Sequence, residues 1–297
     1  MSFNIDDVFL LPADSGGREK MKDRIIQKYG NITVTTVARS ILSREIEGYF
    51  IGEGKRYIAV FAAHHAQESI TANIAFLLID LLLTGMRQGR INSIDCKLLF
   101  TKYRFVVVPC VNPDGIEMRY HGVSDSPLKD RIMRMSGGNF SSWQANARGV
   151  DLNHNYDFGF AEYKAKERAL GIVAGKGLYS GESAESEPEV RGVCNLLRTL
   201  DLSAVVSLHS QGEEIYASPK DRKNQRRAER LAKMCGYTVA VAEGTAAFGG
   251  LSDYTGSLGI PSFTLELGKG QNPLPEADVP LIFGRVGEAL ATLPIIL

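Results

Sequence analysis

The chain carries no excess charge of either sign: Lys and Arg total 34, as do Asp and Glu, in 297 residues. No global field therefore draws it to a nucleic-acid backbone or an anionic membrane surface. The local basic run Lys220–Arg227 reads as the solvated face of a helix. Cysteine is scarce, and none of the four (Cys96, Cys110, Cys194, Cys235) stands in a Cys-x-x-Cys pair. That excludes a disulfide framework and a cysteine-clamped zinc, and leaves reduced, mostly buried thiols. The start, Met1-Ser-Phe-Asn-Ile-Asp-Asp7, lacks a basic segment followed by an apolar core. Together with the reduced thiols, this points to the cytoplasm. The most apolar stretch, Ile74–Leu83, is short and interrupted by Asp80, so no membrane span is expected. There is no internal repeat, linker or composition break.

What is present is an ordinary apolar fraction, 44%, arranged in strand-like and helix-like runs that alternate along the whole length. Ser15–Tyr29 has a helical apolar stripe closed by Gly30, and two strands follow at 32–39 and 45–51 as a hairpin. Near-continuous apolar runs at 56–63, 103–111, 202–210 and 260–266 read as strands covered on both faces. Helices are expected from about Ser69, near 129–135, from Ser186 (with Glu189 completing a capping box), over 221–235 and over 276–293. Tyr237–Val241 follows the 221–235 helix. Asn112-Pro-Asp-Gly115 reads as a turn, and Gly249–Tyr254 as a loop. This alternation predicts one α/β domain over residues 1–297.

Several polar side chains stand at the ends of the apolar strands: His65 and Glu68, Asn112, His209 and Glu266. In open α/β sheets ligands bind outside the carboxyl ends of strands, so residues distant in sequence can meet there. Two imidazoles and one carboxylate make a three-ligand zinc site that keeps a position open, the catalytic arrangement. The alternatives are a capped turn with a solvated His65, a hydrogen-bonded core His209, and a structural ion pair at Glu266. A carboxylate in Phe263-Thr-Leu-Glu266 needs a partner to offset its desolvation.

The chain resembles the zinc carboxypeptidase (M14) family. The matching motifs are His65-x-x-Glu68, Asn112-Pro-Asp-Gly115, Gly149-Val-Asp-Leu-Asn153, Tyr179-Ser-Gly with Ser186-Glu-Pro-Glu189, Ser207-Leu-His209-Ser, and Phe263-Thr-Leu-Glu266. They run in the family's order over roughly residues 50–270. The resemblance implies a single-domain α/β/α sandwich with a mixed, mostly eight-stranded sheet. It also implies one Zn2+ per chain held by His65, Glu68 and His209, with Glu266 as general base and acid. Trp143–Asn153 and Leu265–Pro275 are similar to bacterial γ-D-glutamyl-meso-diaminopimelate peptidases, which implies a murein stem peptide as partner and substrate.

The departures from the family pattern bear on recognition. His154 stands where the family places an Arg that binds a substrate carboxylate. Gln144 stands where many members carry the Arg that polarises the scissile carbonyl, and Arg148 is the candidate replacement. Thr245-Ala-Ala-Phe248 occupies the segment of the family's mobile Tyr. Asn153, His154 and Arg148 are thus the expected carboxylate readers. Asp253 is the expected partner of a distal ammonium, or else a helix cap. Two other readings compete: an aspartoacylase- or desuccinylase-type zinc amidohydrolase, and a degenerate wall-peptide binder. The oligomeric state is not legible in the sequence.

Overall fold

The computed structural model describes residues 5–123, 125–218, 220–244 and 248–297. Its centre is an eight-stranded mixed sheet. The strands are β1 (Thr33–Arg39), β2 (Glu45–Ile51), β3 (Arg56–Ala62), β6 (Tyr103–Val108), β7 (Leu202–His209), β8 (Glu214–Tyr216), β9 (Thr238–Ala240) and β10 (Ser262–Glu266). A separate two-residue ribbon is formed by β4 (Arg90–Ile91) and β5 (Ile94–Asp95). The large sheet has the order β1-β2-β6-β3-β7-β10-β8-β9. Its middle, β6-β3-β7-β10, is parallel, and the antiparallel β1–β2, β2–β6 and β10–β8 pairs flank it. Hence the strands with continuous apolar sequence are the parallel central ones, as burial on both faces requires. β7 is buried at every residue from Ser203 to His209.

The helices are α1 (Ser15–Tyr29), α2 (Ile70–Gln88), α3 (Lys97–Lys102), α4 (Pro113–His121), α5 (Lys129–Ser136), α6 (Phe160–Ala169), α7 (Pro188–Thr199), α8 (Arg222–Cys235), α9 (Leu251–Ser257) and α10 (Val279–Ala291). The larger core lies between one sheet face and α1, α2, α8 and α10; α7 and α9 cover the other face. α2 is apolar nearly all round because it is sandwiched between the sheet, α1 and α10. By length and composition it would cross a membrane, but 72% of its apolar window is buried inside this fold. All four cysteines are buried and unpaired.

Four expectations change. Asn112-Pro-Asp-Gly115 starts a helix instead of a turn: Asn112 is the N-cap of α4, its Oδ1 accepting from Gly115 N at 2.9 Å, and Pro113 takes the first helical position. Between Asn153 and Gly181, where the apolar periodicity predicts no element, the structure has α6. Gly249–Tyr254 runs into α9. α7 is capped at Glu187 and not at Ser186, and Glu189 turns away to accept from Ile41 N at 3.2 Å.

Candidate metal centre and substrate cavity

Three adjacent parallel strands, β3, β7 and β10, end side by side, and each delivers part of the site. β3 stops at Ala62, and Ala63 takes a left-handed backbone conformation (φ 54°) that throws the chain off the sheet. That turn is fixed by Ala63 N donating to Thr71 Oγ1 at 2.9 Å and by Asn112 N donating to Ala63 O at 3.0 Å. His65 follows, then a single 3-10 turn carrying Glu68. His209 is the last residue of β7, paired in register with Glu266, the last of β10.

The side chains converge. His65 Nδ1 lies 2.9 Å from Glu68 Oε1, and His209 Nδ1 lies 3.0 Å from Glu68 Oε2. One donor atom from each of the three residues falls within 4.8 Å of the others. On its far side His65 Nε2 is 3.0 Å from Asp151 Oδ1. Asp151 is oriented in turn by the backbone N–H groups of Asn153 (3.1 Å) and Leu178 (3.0 Å).

This arrangement calls for a cation. Carboxylates only accept, so the two that face the ring nitrogens of His65 leave negative charge to be balanced, by ring protons or by a metal ion. Burial would make His65 harder to protonate, but Glu68 and Asp151 outweigh it and hold the imidazole well above its ordinary range. Likewise burial raises the Glu68 carboxyl, but His65 and His209 bring it down to about 2. Asp151 is driven well below the carboxylate range against the same burial, chiefly by His65. Zn2+ fits this place: two imidazole nitrogens and one carboxylate are its catalytic ligand set, and a ligand His backed by a carboxylate is its usual outer support. Burial, and then Glu68, push the Glu266 carboxyl up to about 8.

His64 was given no role by the sequence. It is fully buried, its ring stacked on His209 with centroids 5.6 Å apart, and its Nε2 lies 2.8 Å from the Tyr156 hydroxyl. Asn112 donates to both His64 O and Gln144 O at 3.0 Å, tying the metal-side turn to the loop opposite. Asn272 does the same for the other wall, donating to Ser210 O at 2.6 Å. Asp151 and Asn112 stand inside the matching motifs and Asn272 in the Leu265–Pro275 stretch, but an orienting role leaves no separate mark in a sequence.

The cluster opens into a cavity of about 610 Å³, in the range of small-molecule sites. Gln144, Asn153, His154, Asp253 and Glu266 line it; Arg148 does not. Arg148 is 46% exposed and its guanidinium lies 3.7 Å from Glu187, so it does not replace the missing oxyanion cation. His154 lines the wall, but its ring is engaged away from any carboxylate. Its Nδ1–H is spent on Phe248 O at 2.8 Å, and its ring stacks on Tyr163 at 4.1 Å. Burial depresses its pKa, so the ring is neutral. Gly249 makes this contact possible: it sits at φ 79°, and a Cβ there would come within 3.0 Å of the His154 backbone. Asn153 accepts from Leu251 N at 3.2 Å, which anchors α9 to the wall. Asp253, in the first turn of α9, accepts from the backbone of Gly250 and has no cationic partner among the described residues. Burial raises its carboxyl to about 6. Residues 245–247, in the segment that corresponds to the family's mobile Tyr, lie outside the described residues.

Comparison with known proteins agrees with this geometry. The sequence profile of a family described as zinc carboxypeptidase matches residues 19–282. The γ-D-glutamyl-L-diamino acid endopeptidase 1 of Lysinibacillus sphaericus is 29% identical over 257 residues, which is 84% of this chain and 64% of that protein. The chain thus spans just under two thirds of that relative's length. Among solved structures, thrombin-activatable fibrinolysis inhibitor superposes with a TM-score of 0.75 at 19% identity, covering 97% of this chain and 75% of that one. The murein-tripeptide amidase MpaA of Escherichia coli O157 gives 0.57 at 17% identity, covering 89% and 95%. These two likenesses establish the shared fold.

Proposed function

The chain belongs to the zinc carboxypeptidase family, and from that premise we propose that it is a zinc-dependent peptidase. We assign its substrate as a peptidoglycan-derived peptide, cut at the amide between γ-D-Glu and a diamino acid such as diaminopimelate. The observation that carries the reading is the convergence of His65, Glu68 and His209 with Glu266 at the ends of neighbouring strands, open to one cavity. The substrate class draws support from the relative named as a γ-D-glutamyl-L-diamino acid endopeptidase.

His65, Glu68 and His209 would hold the zinc, whose chemistry is to polarise a carbonyl and acidify a water. Glu266 lines the same cavity and is the base. With a dication offsetting the charge of Glu68, Glu266 would be ionised, and its carboxylate takes a proton from the attacking water and returns it to the departing nitrogen. Gln144, whose backbone is fixed by Asn112, offers an amide N–H to the developing oxyanion without a charge. Asp253, the cavity's anion away from the metal cluster, is the partner for an ammonium on the diamino acid.

The test is mass spectrometry of products from zinc-loaded protein given a γ-D-Glu–diaminopimelate peptide, its Ala analogue, and N-acyl amino acids. We expect cleavage of the first and loss of most activity on the second, because polar groups of the site would be left unpaired. Asp253→Asn should narrow that gap. Preferred hydrolysis of N-acyl amino acids would make the protein an amidohydrolase instead, and zinc binding with no hydrolysis at all would make it a binder.

A further inference from the structure

With His154 neutral and Arg148 turned outward, the carboxylates of the substrate have lost both cations expected for them. Among the described residues lining the cavity, Lys220 is the one lysine or arginine. It is exposed, and among the described residues no ion pair or hydrogen bond engages it. Its place along the cavity follows from strand register. β8 runs antiparallel to β10, with Glu214 opposite Glu266 and Tyr216 opposite Thr264. Beyond Tyr216 the chain continues toward Ser262, and Lys220 immediately precedes Asp221, the N-cap of α8. That helix is fastened to the same end of β10, Asn224 donating to Ser262 O at 3.0 Å. At about 3.3 Å per residue, Thr264 lies roughly 7 Å and Ser262 roughly 13 Å from Glu266. Ser252, the neighbour of Asp253, is bonded to Thr264 at 2.6 Å. The order outward from Glu266 is therefore Asp253 first and Lys220 beyond it.

We propose that Lys220 is a specificity-determining residue that binds a carboxylate at the distal end of the substrate's diamino acid. This inference rests on the peptidase reading above. Paired with Asp253, Lys220 makes the cavity complementary to a side chain ending in an amino-acid head, one ammonium and one carboxylate on the same carbon. meso-Diaminopimelate has that head; L-lysine has the ammonium and lacks the carboxylate. The two ligands therefore differ in the group that Lys220 reads. A Lys contributes a point charge without the fixed fork of an Arg, so Arg at this position retains the function and an uncharged isostere does not.

The experiment is calorimetric titration of zinc-loaded protein with meso-diaminopimelate acetylated on the amine of its L centre and with Nα-acetyl-L-lysine, so that only the distal amino-acid head or ammonium is free, for the parent, Lys220→Met and Lys220→Arg. The parent is expected to bind the acetylated meso-diaminopimelate about tenfold more tightly or better, the scale of one charge-assisted hydrogen bond. Lys220→Met should remove that preference, and Lys220→Arg should keep it. Equal or absent binding of the two ligands by the parent, or an undiminished preference in Lys220→Met, overturns the proposal. Hydrolysis of the matching γ-D-Glu peptides separates the two readings. Cleavage with no preference keeps the peptidase and removes the role of Lys220. A binding preference with neither peptide cut keeps Lys220 as a carboxylate reader and removes the peptidase.

Discussion

His65 is held between Glu68 at 2.9 Å and Asp151 at 3.0 Å, and the two carboxylates do different work. Glu68 spans both imidazoles and would be a ligand; Asp151 orients His65 from behind. Their removal should therefore differ in degree. His209→Ala leaves two ligands and should strip most of the zinc, whereas Asp151→Asn keeps all three and should weaken zinc by about 10- to 100-fold. Competition against a chelator of known affinity, followed by elemental analysis, measures both. Parental zinc affinity in His209→Ala would remove that residue from the metal site, and parental affinity in Asp151→Asn would make its contact with His65 incidental.

The first turn of α7 is the element with an unusual electrostatic load. Glu189 lies there fully buried, and burial, followed by Asp114, raises its carboxyl from an ordinary 4.5 to about 8. The folded state thus keeps a proton that the unfolded chain gives up. Below pH 4.5 both states are protonated and the group is neutral in its effect. Between about 4.5 and 8 the unfolded chain ionises first, so stability falls as pH rises, by roughly 5 kcal/mol at full ionisation. Glu189→Gln removes that loss, so it should raise the melting temperature more at pH 8 than at pH 5. Parallel melting curves for parent and variant across that range would contradict the assignment. The same turn shows why boundaries were harder to read than elements. Ser186 and Glu189 have capping-box spacing, but Ser186 is held by Asn155 and Glu189 by Ile41, both far away in sequence. α9 escaped notice for a related reason. Leu251-Ser-Asp-Tyr-Thr-Gly-Ser257 has no apolar period, and its place is fixed by bonds from Ser252 and Thr255 to Thr264 and Ser262 of β10.

At the scale of the whole molecule, the parallel centre of the sheet makes one site from residues as far apart as 65 and 266. That much was legible, because a buried parallel strand announces itself as an apolar run and its polar last residue then stands out. Side-chain direction was not legible. Arg148 and His154 have the right chemistry and the right neighbourhood, yet one points to Glu187 and the other is consumed by Phe248 and Tyr163. Lys220 was read as part of a solvated helix face, and only the β8–β10 register brings it to the cavity. The central claim is that the His65–Glu68–His209 site works through Glu266 on a γ-D-Glu–diamino acid bond. The most direct measurement is turnover of that peptide by Glu266→Gln with its zinc content determined on the same sample. The account predicts one zinc per chain retained and turnover lower by on the order of 10² to 10⁴, the usual scale of a general acid–base. Parental turnover in the zinc-loaded variant would contradict it.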